Sequence, residues 1–147
     1  ITILCSGKYI KENCKTNDKL IPLCEIVSFA DAAQEPVDFP TTPSLAIPIA
    51  MKRANLKMED LDYTKDYFEI NEAFAVASVA NAKLLNIPID NVNIHGGAVG
   101  LGHPLGCSGA RIVVTMLNVL KKKQGRYGIC GICNGGGGAS AMIIKNL

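Results

Sequence analysis

Two glycine-dense turns constrain this chain more than any other feature. The first is Asn93-Ile94-His95-Gly96-Gly97-Ala98-Val99-Gly100-Leu101-Gly102-His103-Pro104-Leu105-Gly106. The second is Cys133-Asn134-Gly135-Gly136-Gly137-Gly138. Each follows a short apolar run and carries one reactive side chain. Glycine lets the backbone adopt positive φ and come close to a ligand. A histidine in one turn and a cysteine in the other is the kind of pair that carries proton transfer or thiol chemistry. A third segment, Asn71-Glu72-Ala73-Phe74-Ala75, ends another apolar run.

Around these turns the pattern alternates strand and helix. Ile1 to Cys5 reads as a strand already under way, so the sequence looks like part of something longer. Leu23 to Ala30 is an expected strand. Thr41-Thr42-Pro43-Ser44 opens a helix to about Asn55, with Leu45, Ile49 and Ala50 as its apolar positions. Tyr67 to Ile70 is a short strand, and Ala73 to Asn86 a helix with Val76, Val79, Ala80 and Leu84 on one side. Val92 to Ile94 is a buried strand. Asp62 to Asp66 reads as a surface loop. Ser108 is placed to cap a helix whose apolar face is Ile112, Val113, Met116, Leu117 and Leu120. Gly128 to Cys133 and Ala139 to Lys145 form two strands joined by the glycine run, an expected hairpin. Alternating elements imply βαβ units and a mostly parallel sheet covered on both faces. Ligands of such sheets sit at the carboxyl ends of strands, where all three motifs fall.

The totals exclude several classes. The formal charge is +2, from 15 basic and 13 acidic residues, too little to argue for nucleic acid. Lys121, Lys122 and Lys123 fit a helix C-terminus, where cations are favoured. No apolar run approaches the ~20 residues that span a bilayer. The chain's apolar content, 48%, supports a core without disulfide staples, so its six cysteines read as reduced thiols. Cys130 and Cys133 have Cys-x-x-Cys spacing, but strand residues three apart point to opposite faces. Gly100-Leu101-Gly102-His103-Pro104-Leu105 starts like a dinucleotide fingerprint and lacks its last glycine.

Taken singly, the candidates have ordinary readings. His103 could be a satisfied turn histidine. It also lies just before the Ser108 helix, where an imidazole can act as donor or base. Cys133 could be a buried strand thiol. It also opens onto four glycines, whose successive amides can form an anion-binding concavity. Asn71 and Glu72 could simply cap the helix that follows.

Taken together, the motifs Asn-Glu-Ala-Phe, Gly-Gly-Ala-x-x-Leu-Gly-His-Pro-x-Gly-x-Ser-Gly and Cys-x-Gly-Gly-Gly resemble the thiolase superfamily. The resemblance covers essentially the whole chain. It is closest to the mitochondrial-type acetoacetyl-CoA thiolases, through Ser28-Phe29-Ala30-Asp31-Ala32-Ala33, Asp38-Phe39-Pro40 and Ile132 to Ser140. It implies an α/β, thiolase-like layered fold, a C-terminal βαβαβαββ half with a mixed, mostly parallel sheet. Residues 1–20 would be the end of the preceding half, with a helix reaching Asn17, and residues 21–147 the C-terminal domain.

The resemblance also implies roles. His103 would deprotonate a nucleophilic cysteine and help bind the thioester oxygen, and Asn71 would hold a water beside it. Cys133 would exchange a proton with the acetyl Cα, and the Gly135 N–H would serve a second oxyanion hole. Phe74, Phe39 and Pro40 would shape the acyl pocket. Val99 would offer its backbone to a potassium ion. The implied activity is that of an acetyl-CoA C-acetyltransferase with coenzyme A thioesters as substrates. No cofactor is needed for the chemistry. The implied assembly is a homodimer or homotetramer, in the mitochondrion or alternatively the cytoplasm. The nucleophilic Cys-Ala-Ser-Gly segment of such enzymes is not in this sequence. Cys107 in Gly-Cys-Ser-Gly sits elsewhere in the pattern, and His95 stands where asparagine is usual. A broader-chain 3-ketoacyl-CoA thiolase and a non-catalytic lipid-binding member are the competing implications.

Overall fold

The computed structural model describes residues 2–14 and 21–147. Its elements in chain order are α1 (Gly7–Asn13), β1 (Cys24–Ala33), α2 (Pro43–Arg53), β2 (Tyr67–Ile70), α3 (Ala75–Leu84), α4 (Ala98–Leu101), α5 (Ser108–Lys123), β3 (Tyr127–Cys133) and β4 (Gly138–Asn146). A 3-10 turn over Pro36–Thr41 leads into α2. The four strands form one sheet in the order β1-β4-β3-β2. Both pairings of β4 are antiparallel, while β2 pairs with β3 in parallel. The sheet is therefore mixed, as expected, but parallel pairing is the minority. The β3–β4 hairpin and the return of β1 onto β4 account for this.

Alternation along the strands splits the core in two. Phe68, Ile70, Ile129, Ala141 and Ile143 pack with Ile47, Ala50 and Met51 of α2. Tyr67, Cys130 and Ile144 pack on the other face with Ile112, Met116, Val119 and Leu120 of α5. Fully burying an aliphatic side chain of this size is worth about 1.5–3 kcal/mol, so each helix is held chiefly by its apolar stripe. Cys130 and Cys133 lie an odd number of residues apart on β3 and so leave opposite faces. A bulge between Ile26 and Ser28 interrupts β1. It turns Val27 toward the α2 core, and the Ser28 hydroxyl donates to the Ala50 carbonyl at 2.7 Å.

Several expectations need correction. Thr2 to Ser6 form no strand and are exposed; Ser6 instead caps α1 by accepting the Tyr9 N–H. The rest of that expected helix, toward Asn17, lies outside the described residues. On α2 the buried positions are Ala46, Ile47, Ala50 and Met51, while Leu45 and Ile49 are exposed. On α3 they are Ala77, Ser78, Asn81 and Ala82, while Val76, Val79 and Leu84 face outward. Small residues and a buried amide let α3 pack closely, so its large apolar residues point away. Asp66 is no surface loop residue: it is fully buried, paired with Arg126, and accepts the Tyr127 N–H.

The expected strand at Val92 to Ile94 shrinks to one bridge, between Val92 and Phe68. Asn93 explains why. Its backbone turns to φ 51°, and its side chain takes over the strand's role. The Asn93 amide oxygen accepts the Ile70 N–H at 2.9 Å, and its nitrogen donates to the Ile70 carbonyl at 2.8 Å. The edge of β2 is thus satisfied by a side chain. The chain is freed to turn toward His103.

Among the described residues no helix is long and apolar enough to cross a membrane.

Candidate active site

The parallel pairing of β2 and β3 brings their carboxyl ends to the same edge, with Ile70 opposite Gly131. Asn71 is the next residue, and its N–H donates to the Gly131 carbonyl at 2.9 Å. Its side chain is buried. Cys133 ends β3 two residues further on. The long excursion after Val92 returns through α4 to place His103 just before α5. The structure thus gathers Asn71, His103 and Cys133 at one end of the sheet, as the motif order implies.

Asn71 and His103 are in direct reach. Asn71 Nδ2 lies 3.4 Å from His103 Nδ1. The same ring nitrogen lies 2.6 Å from Ser108 Oγ. Ser108 is therefore not the helix cap expected of it. Cys107 holds that position without a side-chain cap bond, and the Ser108 hydroxyl serves the histidine. Behind Asn71 stands Arg111, one turn further along α5. Its Nη2 donates to Asn71 Oδ1 at 3.1 Å, and its Nη1 reaches Glu69 Oε2 at 3.3 Å.

Glu69 is fully buried in β2. Burial pushes its carboxyl up to about 7, with Arg111 pulling the other way and Glu72 adding a smaller upward push. The sequence reading missed both members of this pair. The signal was present: a lone carboxylate inside Tyr67-Phe68-Glu69-Ile70, and an arginine three residues after Ser108 on the same helix.

Glu72 fixes the path of the histidine loop. Its carboxylate accepts the Val99 N–H at 3.0 Å and the Asn93 amide at 3.3 Å. It lies against Gly97, where an added Cβ would meet its carboxyl carbon at 2.3 Å. Glycine is needed there for space. His95 is exposed and does not join this network.

The second turn is tied internally. Asn134 Oδ1 accepts the N–H groups of Gly136 and Gly138 at 3.3 and 3.2 Å. The Gly137 N–H donates to the Asn134 carbonyl at 3.3 Å. Gly137 has φ 91°, and a Cβ there would stand 2.3 Å from the Gln34 carbonyl, so no other residue fits. Its own carbonyl accepts from Gln34 N–H and from the buried Thr42 hydroxyl. Within this turn the Gly135 N–H alone has no acceptor among the described residues. Cys133 is buried beside it, and burial pushes its thiol up. It makes no hydrogen bond to His103 or Asn71.

The pocket candidates also come together. The rings of Phe39 and Phe74 meet edge to face, with centroids 6.0 Å apart. Asn81 ties this corner. Its Nδ2 donates to the Pro40 carbonyl at 2.7 Å, and its Oδ1 accepts the Ser44 N–H at 2.7 Å. Val99 is exposed, and none of the hydrogen bonds closing α4 ends on its carbonyl.

The class defined by this arrangement is an α/β domain with a mixed sheet between helices, a cysteine turn at the end of β3 and a histidine turn before α5, meeting at one edge of the sheet. Residues 20–146 match the family model for the thiolase C-terminal domain. The chain belongs to the thiolase family, as its C-terminal domain. It is 56% identical over 128 residues to acetyl-CoA acetyltransferase 2 of Arabidopsis thaliana, covering 87% of this chain and 31% of the plant protein. Its fold superposes on the Acat5 thiolase from Ascaris suum, solved in complex with coenzyme A, with a TM-score of 0.83 at 43% identity. That match covers 97% of this chain and 34% of the Ascaris chain. Human mitochondrial 3-ketoacyl-CoA thiolase gives a TM-score of 0.85 at 34% identity over the same shares of the two chains. The chain thus spans about a third of the length of the relatives it matches.

Proposed function

We propose that this chain is the C-terminal third of an acetyl-CoA C-acetyltransferase. The reaction is the reversible Claisen condensation of two acetyl-CoA to acetoacetyl-CoA and CoA. The carrying observation is the contact of Asn71 with His103 beside the Cys133–Gly135 turn. The nucleophilic cysteine would come from outside this sequence. His103 would take its proton and then bind the thioester oxygen, with a water on Asn71. The unpaired Gly135 N–H suits an enolate oxygen, because a fixed donor in a water-poor site needs no reorganisation. A thiol kept protonated by burial suits Cys133 to return a proton to the acetyl Cα during thiolysis.

The Phe39–Phe74 contact beside Pro40 narrows the acyl side and favours short substrates over those of a broad-chain 3-ketoacyl-CoA thiolase. The Phe39-Pro40 pair resembles the feature linked with tolerance of a 2-methyl branch. Intact Asn71, His103 and Cys133 speak against a non-catalytic lipid binder. The Val99 carbonyl lies on the short helix α4 and accepts none of its hydrogen bonds. It fits one backbone ligand of a potassium ion, whose other ligands would lie elsewhere in the protein. A homodimer or homotetramer, a mitochondrial location with the cytoplasm as alternative, and residues 1–20 as the end of the preceding half complete the proposal.

The test is CoA-dependent thiolysis of acetoacetyl-CoA by the natural full-length protein beside Cys133→Ser. We expect strong turnover that falls at least ~100-fold in the variant, the scale of losing a catalytic acid-base group. A folded, full-length protein without turnover would sink the proposal.

A further inference from the structure

The two ends of the Cys133–Gly138 turn are held differently. The far end is anchored to the rest of the domain. The Gly137 carbonyl accepts from the Gln34 N–H at 3.1 Å and from the buried Thr42 hydroxyl at 2.9 Å. Gln34 Nε2 in turn donates to the hydroxyls of Thr41 and Thr42, at 2.8 and 3.0 Å. Gly138 already belongs to β4. The near end has no such anchor in this domain. Gly135 and Gly136 are exposed. A Cβ added at Gly135 would meet nothing within 4 Å, and one at Gly136 would meet only Asn134 Oδ1, at 3.6 Å. Two consecutive glycines without packing have the widest conformational freedom a backbone offers.

One side chain restrains them. Asn134 Oδ1 accepts the Gly136 N–H at 3.3 Å and the Gly138 N–H at 3.2 Å. The first of these closes an Asx turn, in which an asparagine bonds the backbone two residues further on. The peptide between Asn134 and Gly135 lies inside that closed ring, and it carries the Gly135 N–H. The amide lies over the turn, so that a Cβ at Gly138 would stand 2.6 Å from Asn134 Nδ2. The Asn134 backbone closes the turn again: its N–H donates to the Gly138 carbonyl at 2.9 Å, and its carbonyl accepts the Gly137 N–H at 3.3 Å. From Asn134 to Gly138 every N–H is thus taken within the turn except that of Gly135.

We propose that Asn134 is a positioning residue for the second oxyanion hole: its amide oxygen takes the competing N–H groups and fixes the peptide that presents the Gly135 N–H as the one free donor. The catalytic role rests on the thiolase reading above; the clasp does not. A donor held in place stabilises developing charge without reorganising. The effect is therefore confined to the step that puts charge on that oxygen. When Cys133 removes the acetyl Cα proton, the electron pair moves onto the thioester oxygen as the enolate, and Gly135 faces it. Acetyl transfer to the nucleophilic cysteine puts its charge at His103 and the water on Asn71, outside this turn. Cys133 itself is held by its ladder pairing with Ala139, independently of the Asn134 amide.

The experiment has two arms. The first is amide-proton exchange by NMR on the natural full-length protein labelled with 15N-glycine. The two signals are assigned by their loss in Gly135→Ala and Gly136→Ala, where a Cβ finds room. Relative to an unstructured peptide of the same sequence, the Gly136 N–H should be protected about fivefold to tenfold more than the Gly135 N–H, the scale of one net hydrogen bond. Asn134→Ala should erase the difference. Asn134→Ser should keep part of it, because a hydroxyl makes the same turn more weakly. Equal protection in the parent, or a difference that survives in Asn134→Ala, overturns the inference. The second arm separates the two half-reactions. Exchange of labelled CoA into acetyl-CoA reads acetyl transfer, and thiolysis of acetoacetyl-CoA reads the enolate step. Asn134→Ala should lose roughly tenfold to a hundredfold in thiolysis kcat, less than the loss of an oxyanion donor outright. Its KM and its CoA exchange should stay within about twofold, and Asn134→Ser should fall between it and the parent. An equal loss in both half-reactions would mark Asn134 as merely structural, and unchanged thiolysis would overturn the positioning role. A folded parent that neither exchanges CoA nor thiolyses would sink the thiolase reading and the catalytic role with it, while the first arm would still decide the clasp.

Discussion

The two faces of β2 are built on opposite rules. Phe68 and Ile70 enter a dry core in which every contact is shape: Ile47, Ile129 and Ile143 are all fully buried around them. Tyr67, Glu69 and Asn71 leave the other face. There, beyond the apolar contacts of Tyr67, the chain Glu69–Arg111–Asn71–His103–Ser108 is made of hydrogen bonds. One face holds the sheet on α2 and the other holds a histidine in one orientation. Stability should therefore be concentrated on the first face, and function on the second.

The largest effect should come from breaking the dry face. Phe68→Ala removes a fully buried ring from the edge strand β2 and leaves a cavity that α2 cannot fill, since Ile47 and Met51 are already packed. The expected loss is about 3–5 kcal/mol, read as a fall in denaturant midpoint. The fraction that remains folded should turn over normally. A folded variant whose kcat has collapsed would show that the two faces are not separable.

This division also explains what could be read from the sequence. The turns, their reactive residues, β2, the α5 stripe and the hairpin were legible, because each rests on a local rule: glycine at a turn, a 3.6-residue period, alternation. The polar chain was not legible. Arg111 and Glu69 are 42 residues apart and meet only because α5 crosses β2. Ser108 looked like a cap because a serine before an apolar run ordinarily is one. Its partner, His103, is set by the turn. The strand at Val92 failed for a related reason. Asn93 satisfies β2 with its side chain, and propensity has no term for that.

A smaller effect sharpens the polar face. The folded value of Glu69 is about 7, raised above its ordinary 4.5 by burial. The native state therefore holds a proton that the unfolded chain releases, across roughly pH 4.5 to 7. The sign follows from linkage: where the native state binds more protons, stability falls as pH rises. Glu69→Gln cannot titrate. The stability of the parent relative to this variant should decline as pH rises through that window and level off above it. Arg111 and Glu72 are the charged groups acting on this carboxyl. A difference in melting temperature that stays flat from pH 4.5 to 7 would contradict the burial of a protonated Glu69.

The smallest effect tests where the dry face ends. Reading α3 by period put Val76, Val79 and Leu84 in the core, yet Val79 is 56% exposed. The helix instead docks through Ala77, Asn81 and Ala82. Asn81 needs to be on the inner side to hold Pro40 and Ser44. One buried amide with three hydrogen bonds therefore decides which way the helix rolls, and it turns three aliphatic residues outward. Val79→Lys should then change the stability of the domain by no more than about 0.5 kcal/mol, as for an ordinary surface site. Lysine is also slightly the better helix former. A loss of several kcal/mol in the full-length protein would show that this stripe is covered there, and that the period pointed to a second, external core.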